Sequence, residues 1–365
     1  MPTNKTLLFT SIPPNGLPNP AAGHLTLTDL GPFDLSTPPP PGGLTLSILA
    51  PYLSLDPFLT DKLRDASIPS YVPAYTLGAP ITNAGIARVI LSSHPSFPPS
   101  TLLLADDLPF AEYTTLTASA IASQLASSTL QPLLNPHRLP LPLFLGPLGM
   151  PGLTAYSSLQ EIARPRAGET IFISSAAGAV GQIVGQLALR LGLRVLGSVG
   201  TDAKLDYITS ELGFHSGFNY RTEPAGAALA RLAPEGVDIY FDNVGGAQLD
   251  AALAAMRVGG RVVACGMITA YNKPLGEGEP IRNLLCVVDK RLVIRGFIVF
   301  DEDFGPKYRV EHQEKVGAWL AEGSMKARIH VVEGLEGAVK GLVEMFDGGN
   351  FGKAVVRVGG REGDS

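Results

Sequence analysis

Residues 170–191 read TIFISSAAGAVGQIVGQLALRL, and this stretch decides the fold. TIFISS is an apolar strand. After AAGAVG the apolar positions Val180, Ile183, Val184, Leu187, Ala188 and Leu191 recur at helical spacing, so a strand passes into a helix across a glycine turn. The alternation continues downstream. RVLGSV precedes a helical segment from Lys204 to Leu212, then come a short FNY strand and a helix near Ala225 to Leu232. VDIYFD, a helix near Ala247 to Met256 and RVVACG follow. A sixth strand is expected at Arg291 to Val299. Strands alternating with helices form βαβ units, and these predict a doubly wound parallel sheet of Rossmann type, covered on both faces.

Outward from this block the texture changes. The first 146 residues are rich in Pro, Ser and Thr, with short β-like runs at Leu44 to Leu49 and Ile86 to Leu91 between turn signals, and read as an irregular β-rich domain. The tail carries a strand-like ARIHVVE, an amphipathic helix from Leu335 to Phe346 and a strand KAVVRV. The sheet is complete without it, so the tail is assigned back to the first domain. The expected layout is an α/β chain with residues 147–323 as a dinucleotide-binding domain inserted between 1–146 and 324–365.

A chain of 365 residues suffices for two cores, and 45% hydrophobic residues exclude a disordered polymer. The 41 glycines follow no three-residue period, which excludes collagen. A net charge of −5 gives no reason to expect nucleic acid or an anionic membrane as partner. No apolar run reaches membrane-spanning length, and MPTNKTLLFTS lacks the pattern of a signal peptide. Two cysteines, Cys265 and Cys286, can build neither a disulfide framework nor a four-thiolate zinc site, and the six histidines stand apart from them. The expectation is a cytoplasmic protein without metal.

Ser175 to Gly181 stand where a dinucleotide fold places its phosphate loop. A pyrophosphate needs backbone N–H groups at a helix start and no side chain in its way, which suits Gly178, Ala179, Val180 and Gly181; the first glycine of the usual pattern is Ala176 here. At the end of the second strand, Gly197-Ser198-Val199-Gly200 offers no acid to grip a ribose 2′-hydroxyl. Asp202 lies beyond the Gly200 break and is expected to cap the next helix with Thr201, while Lys204 supplies a positive charge and Tyr220 with Arg221 ends the third strand. Acid absent and base present favour NADPH over NADH.

Several segments carry a family likeness: LGMPGLTAYSSL, SSAAGAVGQIVGQLA, GSVGTDAKLDYI, GFNYRT, VDIYFDNVGG, RVVACGMITAYN and NFGKAVV. Over about residues 143–360 the chain resembles the leukotriene/prostaglandin reductase and alkenal double-bond reductase branch of the medium-chain dehydrogenase/reductase superfamily. The resemblance implies a GroES-like catalytic domain around the Rossmann domain, a homodimer, NADPH and no zinc. By position it implies phosphate-binding roles for Lys204 and Tyr220 and a cofactor contact at Asn243. It implies a nicotinamide wall from Cys265, Gly266, Ile268, Tyr271, Phe297, Ile298, Val299 and Asn350. The first domain departs from the pattern: in LSLDPFLT, Leu59 and Thr60 replace the family's methionine and arginine.

The chemistry left is hydride transfer, where the cofactor does the difficult step and the protein orients it. The expected reaction is reduction of the C=C bond of an α,β-unsaturated ketone or aldehyde, by hydride delivery to the β-carbon. Tyr271 follows the fifth strand at its carboxyl end and is the candidate donor to the enolate oxygen, directly or through a cofactor ribose hydroxyl. Tyr52 and Tyr156 are candidate substrate contacts. A quinone oxidoreductase and a non-catalytic NADPH-binding protein stand as alternatives.

Overall fold

The computed structural model describes residues 1–48, 51–274 and 276–359. The chain divides into two compact units. One contains Met1–Leu145, His330–Gly349 and the chain from Ala354; the other contains Gly146–Ile329 and Asn350–Lys353.

The second unit is built on six parallel strands: β1 (Thr170–Ile173), β2 (Arg194–Val199), β3 (Ser216–Asn219), β4 (Val237–Asp242), β5 (Met256–Ala264) and β6 (Val293–Gly296). Their order is β3-β2-β1-β4-β5-β6, so the topology reverses between β1 and β4. Helices α1 (Met150–Ser158), α2 (Gly181–Arg190), α3 (Asp202–Asp206), α4 (Ala225–Leu232), α5 (Gly246–Ala255) and α6 (Gly305–Ala321) accompany it. Central strands buried on both faces must be continuously apolar, and Ile171, Phe172 and Ile173 are fully buried. Phe172 stacks on Tyr240 at 5.0 Å and on Phe218 at 5.8 Å, and Leu196, Leu253 and Val262 join the same core.

This is the Rossmann-type sheet expected from the alternation. Differences are local. The helix expected from Lys204 to Leu212 begins at Asp202 and turns into a π-helix over Tyr207–Glu211. The sixth strand is shorter than Arg291 to Val299.

The other unit is β-rich, as expected. Strands Leu44–Ser47, Tyr52–Ser54, Thr82–Ser92, Leu102–Pro109 and Tyr113–Leu116 pair antiparallel, and Lys353–Arg357 pairs with Tyr52–Ser54. Leu7, Phe9, Leu46, Ile48, Leu53 and Phe110 form its core, closed by Leu335 and Leu342 from the tail.

The tail does not return to that unit in one piece. Gln182 and Gln186, one turn apart on α2, hold an extended segment by its main chain. Gln186 accepts from Lys326 N at 2.9 Å and donates to its carbonyl, and Gln182 does the same with Arg328. Gly352 donates to Ala177 O at 3.1 Å and forms a parallel bridge with Gly178. These bonds keep 324–329 and 350–353 with the parallel sheet.

Candidate functional site

The turn after β1 is shaped by sterics. Ser175 sits at φ 50°, a left-handed conformation that reverses the chain between strand and helix. A Cβ on Gly181 would lie 2.9 Å from Ala176 Cα, and one on Gly178 would lie 3.0 Å from Ser175 O. Both glycines are therefore demanded by the turn itself. Ala176, in place of the usual first glycine, is accommodated across the sheet: a Cβ on Gly197 would come 2.6 Å from the Ala176 methyl. The missing side chain has moved from one strand end to the next strand.

Helix α2 starts at Gly181 with Val180 as N-cap, and no side chain caps it. Ala179 and Val180 complete the loop ahead of this helix start. An uncapped first turn behind a glycine turn suits an anion. Asn350 stands on the same side, donating through Nδ2 to Gly352 O at 2.8 Å beside Gly178. Asn350, expected in the nicotinamide wall, is thus placed at the phosphate loop.

At the end of β2, Thr201 caps α3 by accepting from Lys204 N at 3.3 Å. Asp202 accepts from Asn219 at 2.9 Å, so Thr201 takes the capping role expected for the pair. The Tyr220 ring covers Gly200: a Cβ there would meet the Tyr220 hydroxyl at 3.0 Å. Burial and, secondarily, the charge of Arg221 hold the Lys204 ammonium below its ordinary value. Phe351 lies 6.0 Å from Lys204 Nζ and 4.5 Å from the Arg328 guanidinium, which also faces Tyr207 at 4.8 Å. Lys204 and Arg221, close enough to repel, stand at a strand end whose one carboxylate, Asp202, is engaged by Asn219, while Arg328 pairs with Glu211 at 2.8 Å; two like charges so placed suit a 2′-phosphate. The donor set fits a phosphorylated dinucleotide.

Asp242 organises the carboxyl end of β4. Its Oδ1 accepts from the Tyr240 hydroxyl at 2.8 Å, Val244 N at 2.9 Å, Gly245 N at 2.8 Å and Ser174 Oγ at 3.3 Å. Oδ2 is buried and meets no donor among the described residues, and burial holds the carboxyl above its usual range. Asn243 donates from Nδ2 to Ser174 O at 2.7 Å and from its backbone to Ser174 Oγ at 2.9 Å, which fixes the β4 exit to the β1 exit.

After β5 the chain folds over this exit. Cys265 and Gly266 donate to Asp242 O at 2.9 and 3.0 Å. Cys265 lies just past the strand and is half-buried. Burial, then the Asp242 charge, pushes its thiol up to about 12. Ile268 donates to Asn243 O, and Thr269 Oγ1 donates to Val244 O at 2.7 Å. Tyr271 returns over the turn, its hydroxyl 2.8 Å from where a Gly266 Cβ would stand, and keeps 37% exposure.

Phe297, Ile298 and Val299 follow β6. Phe297 stacks on Phe304 at 4.8 Å, Ile298 is partly exposed, and the Val299 carbonyl accepts from Gly305 N at 2.7 Å at the start of α6. Tyr156 is built into the seam of α1 and α6, edge-on to Tyr308 at 6.0 Å and His312 at 5.8 Å. Tyr52 belongs to the β-rich unit, opposite Arg357, whose side chain its phenol bonds. The residues brought together are those after β1, β2, β4 and β5. Gln182 and Asp242 were missed; the signal for Gln182 and Gln186 was a polar pair at i, i+4 on a helix otherwise buried. Among the described residues no three His, Cys, Asp or Glu side chains gather as a metal site, and no helix is long and apolar enough to cross a membrane.

Comparison with known proteins supplies the family. Residues 179–309 match the zinc-binding dehydrogenase family model. NADP-dependent oxidoreductase RED1 of Cochliobolus heterostrophus is 45% identical, covering 99% of both chains. The NADP(+)-dependent 2-alkenal reductase of Nicotiana tabacum is 41% identical over 84% of this chain and 85% of its own. The crystal structure of CurA from Vibrio vulnificus in complex with NADPH superposes with a TM-score of 0.84 at 30% identity, covering 98% of this chain and 99% of that one. These relatives and the fold define an oxidoreductase on a Rossmann sheet. The chain belongs to the medium-chain dehydrogenase/reductase family, in its zinc-independent, NADP-dependent branch.

Proposed function

We propose that the protein reduces the C=C bond of α,β-unsaturated ketones or aldehydes with NADPH. The observation that carries this reading is the partly exposed Tyr271, folded over Gly266 at the carboxyl end of β5 and beside the exit of β4, where ligands of doubly wound sheets bind. The loop at Gly178–Gly181 and the start of α2 hold the pyrophosphate, Lys204 and Tyr220 the 2′-phosphate, and Asn243, Cys265, Gly266, Ile268 and Asn350 the remainder. Bound NADPH supplies a hydride, which this reading directs to the β-carbon of the substrate. The Tyr271 hydroxyl donates a hydrogen bond to the carbonyl oxygen as charge collects there, and this donation is stronger to the enolate than to the ketone. Tyr52 and Tyr156 are retained as candidate substrate contacts, Phe297 to Val299 as part of the nicotinamide wall.

The protein is further assigned a homodimeric, cytoplasmic form. The exposed edge strand β6, with Val293 and Ile294 outward, supports the first, and the free thiols of Cys265 and Cys286 support the second. Replacing Tyr271 by Phe tests the reaction: kcat for an enone falls about 100-fold, the scale of one lost oxyanion donor, while NADPH binding stays within twofold. Undiminished turnover would refute the assignment. Faster turnover of a quinone than of any enone or enal would favour the quinone reading.

A further inference from the structure

The segment carrying Tyr271 leaves the sheet at Ala264 and is followed by the Asn283–Leu285 turn. Its first residues are tied to the exit of β4 through Asp242 O, Asn243 O and Val244 O. Its far end is tied to α5 by Asp250, whose carboxylate accepts from Arg282 N at 2.6 Å and Asn283 N at 2.7 Å. Between these ties stands Glu279. Its Oε2 accepts from Ala247 N at 2.8 Å in the first turn of α5, where no residue of the helix supplies a cap. Gly246, at φ 52°, leaves the space: a Cβ there would collide with the Glu279 carboxylate and come 3.1 Å from Thr269 Oγ1. Lys273, two residues past Tyr271, lies 3.9 Å from Glu279 Oε1. One carboxylate therefore joins the start of α5, the Gly245-Gly246 turn and the chain just beyond Tyr271.

We propose that Glu279 is a positioning residue that holds the Tyr271 segment against the β4 exit by capping α5. This rests on the enone-reductase reading for its catalytic consequence and on the geometry alone for the clamp. A carboxylate at a helix N-terminus is favoured by the helix dipole and satisfies an orphan N–H. Without it, residues 266–273 keep their ties to the β4 exit, the Thr269 hydroxyl to Val244 O among them, and lose the fastening between them and Asp250.

The experiment compares Glu279→Ala, Glu279→Gln and Tyr271→Phe in the full-length protein. In Glu279→Ala, amide hydrogen exchange over 266–273 accelerates at least tenfold while β1 to β4 exchange unchanged. Glu279→Gln, which keeps an acceptor for Ala247 N, restores wild-type exchange to within threefold. With an enone the Glu279→Ala kcat falls about tenfold at an unchanged dissociation constant for NADPH, and adding it to Tyr271→Phe costs no further rate. Unchanged exchange over 266–273 overturns the clamp. Equal loss of kcat in the wild-type and Tyr271→Phe backgrounds overturns action through Tyr271. A wild-type protein that turns over no enone, with exchange responding as stated, refutes the enone reading and leaves the clamp standing.

Discussion

Lys204 and Gly197 show how much single positions decide. Lys204 is half-buried beside Arg221, and its ammonium is held below its ordinary value by burial first and like charge second. A doubly charged phosphate relieves both effects. Lys204→Ala is accordingly expected to raise the dissociation constant for NADPH tenfold or more, since a charged hydrogen bond contributes about 1.5–3 kcal/mol, and to leave that for NADH nearly unchanged. Cofactor titrations by fluorescence check this, and equal loss for both would count against a 2′-phosphate role. Gly197 carries no ligand, yet its missing side chain admits the Ala176 methyl. Gly197→Ala should destabilise the unit by about 1–3 kcal/mol through overpacking, measured by urea unfolding, and Ala176→Gly in the same chain should recover part of it, since the new methyl also meets Ile208 Cδ1 at 2.8 Å and Phe214 Cδ2 at 3.1 Å.

Among elements, the seam between α1 and α6 contains a buried histidine. His312 Nε2 lies 2.9 Å from Pro147 O, and burial pushes the imidazole from 6.5 to about 4. The native state thus binds fewer protons than the unfolded chain between those values, so stability is retained above about pH 6.5 and lost as pH falls toward 4. The loss approaches about 3 kcal/mol, because each tenfold change in proton affinity is worth about 1.36 kcal/mol, and His312→Gln should flatten this part of a pH–stability curve. On the opposite helix α2, Gln182 accepts from the Tyr207 hydroxyl at 2.8 Å as well as from Arg328 N. Gln182→Ala strands these groups and is expected to cost about 2–4 kcal/mol by thermal denaturation. The βα alternation was legible from the 170–191 stretch because buried parallel strands are uniformly apolar. The capping of α5 by Glu279 was not, because the two partners are 32 residues apart and no local pattern links them. The return of 324–329 was equally hidden: its bonds are main chain to side chain, and any residue type supplies the main chain.

For the molecule as a whole, the edge of the parallel sheet is the exposed feature of consequence. Strand β6 is exposed throughout, and Leu284, Leu285 and Val288, shortly before it in the chain, are exposed as well. An open apolar edge favours pairing with a second copy. Substituting Lys at both Val293 and Ile294 should convert the dimer assigned above to monomer in analytical ultracentrifugation while preserving NADPH affinity. The β-rich unit was legible as a class but not in its details, because its strands are short and joined by irregular turns. One last property follows from Cys265. Enals and enones are soft electrophiles that alkylate thiolates, and a protein that handles them risks poisoning itself. With its thiol pushed up to about 12, Cys265 stays protonated and poorly nucleophilic at neutral pH, so under the proposed enone reading the chain beside Tyr271 resists alkylation by its own substrate.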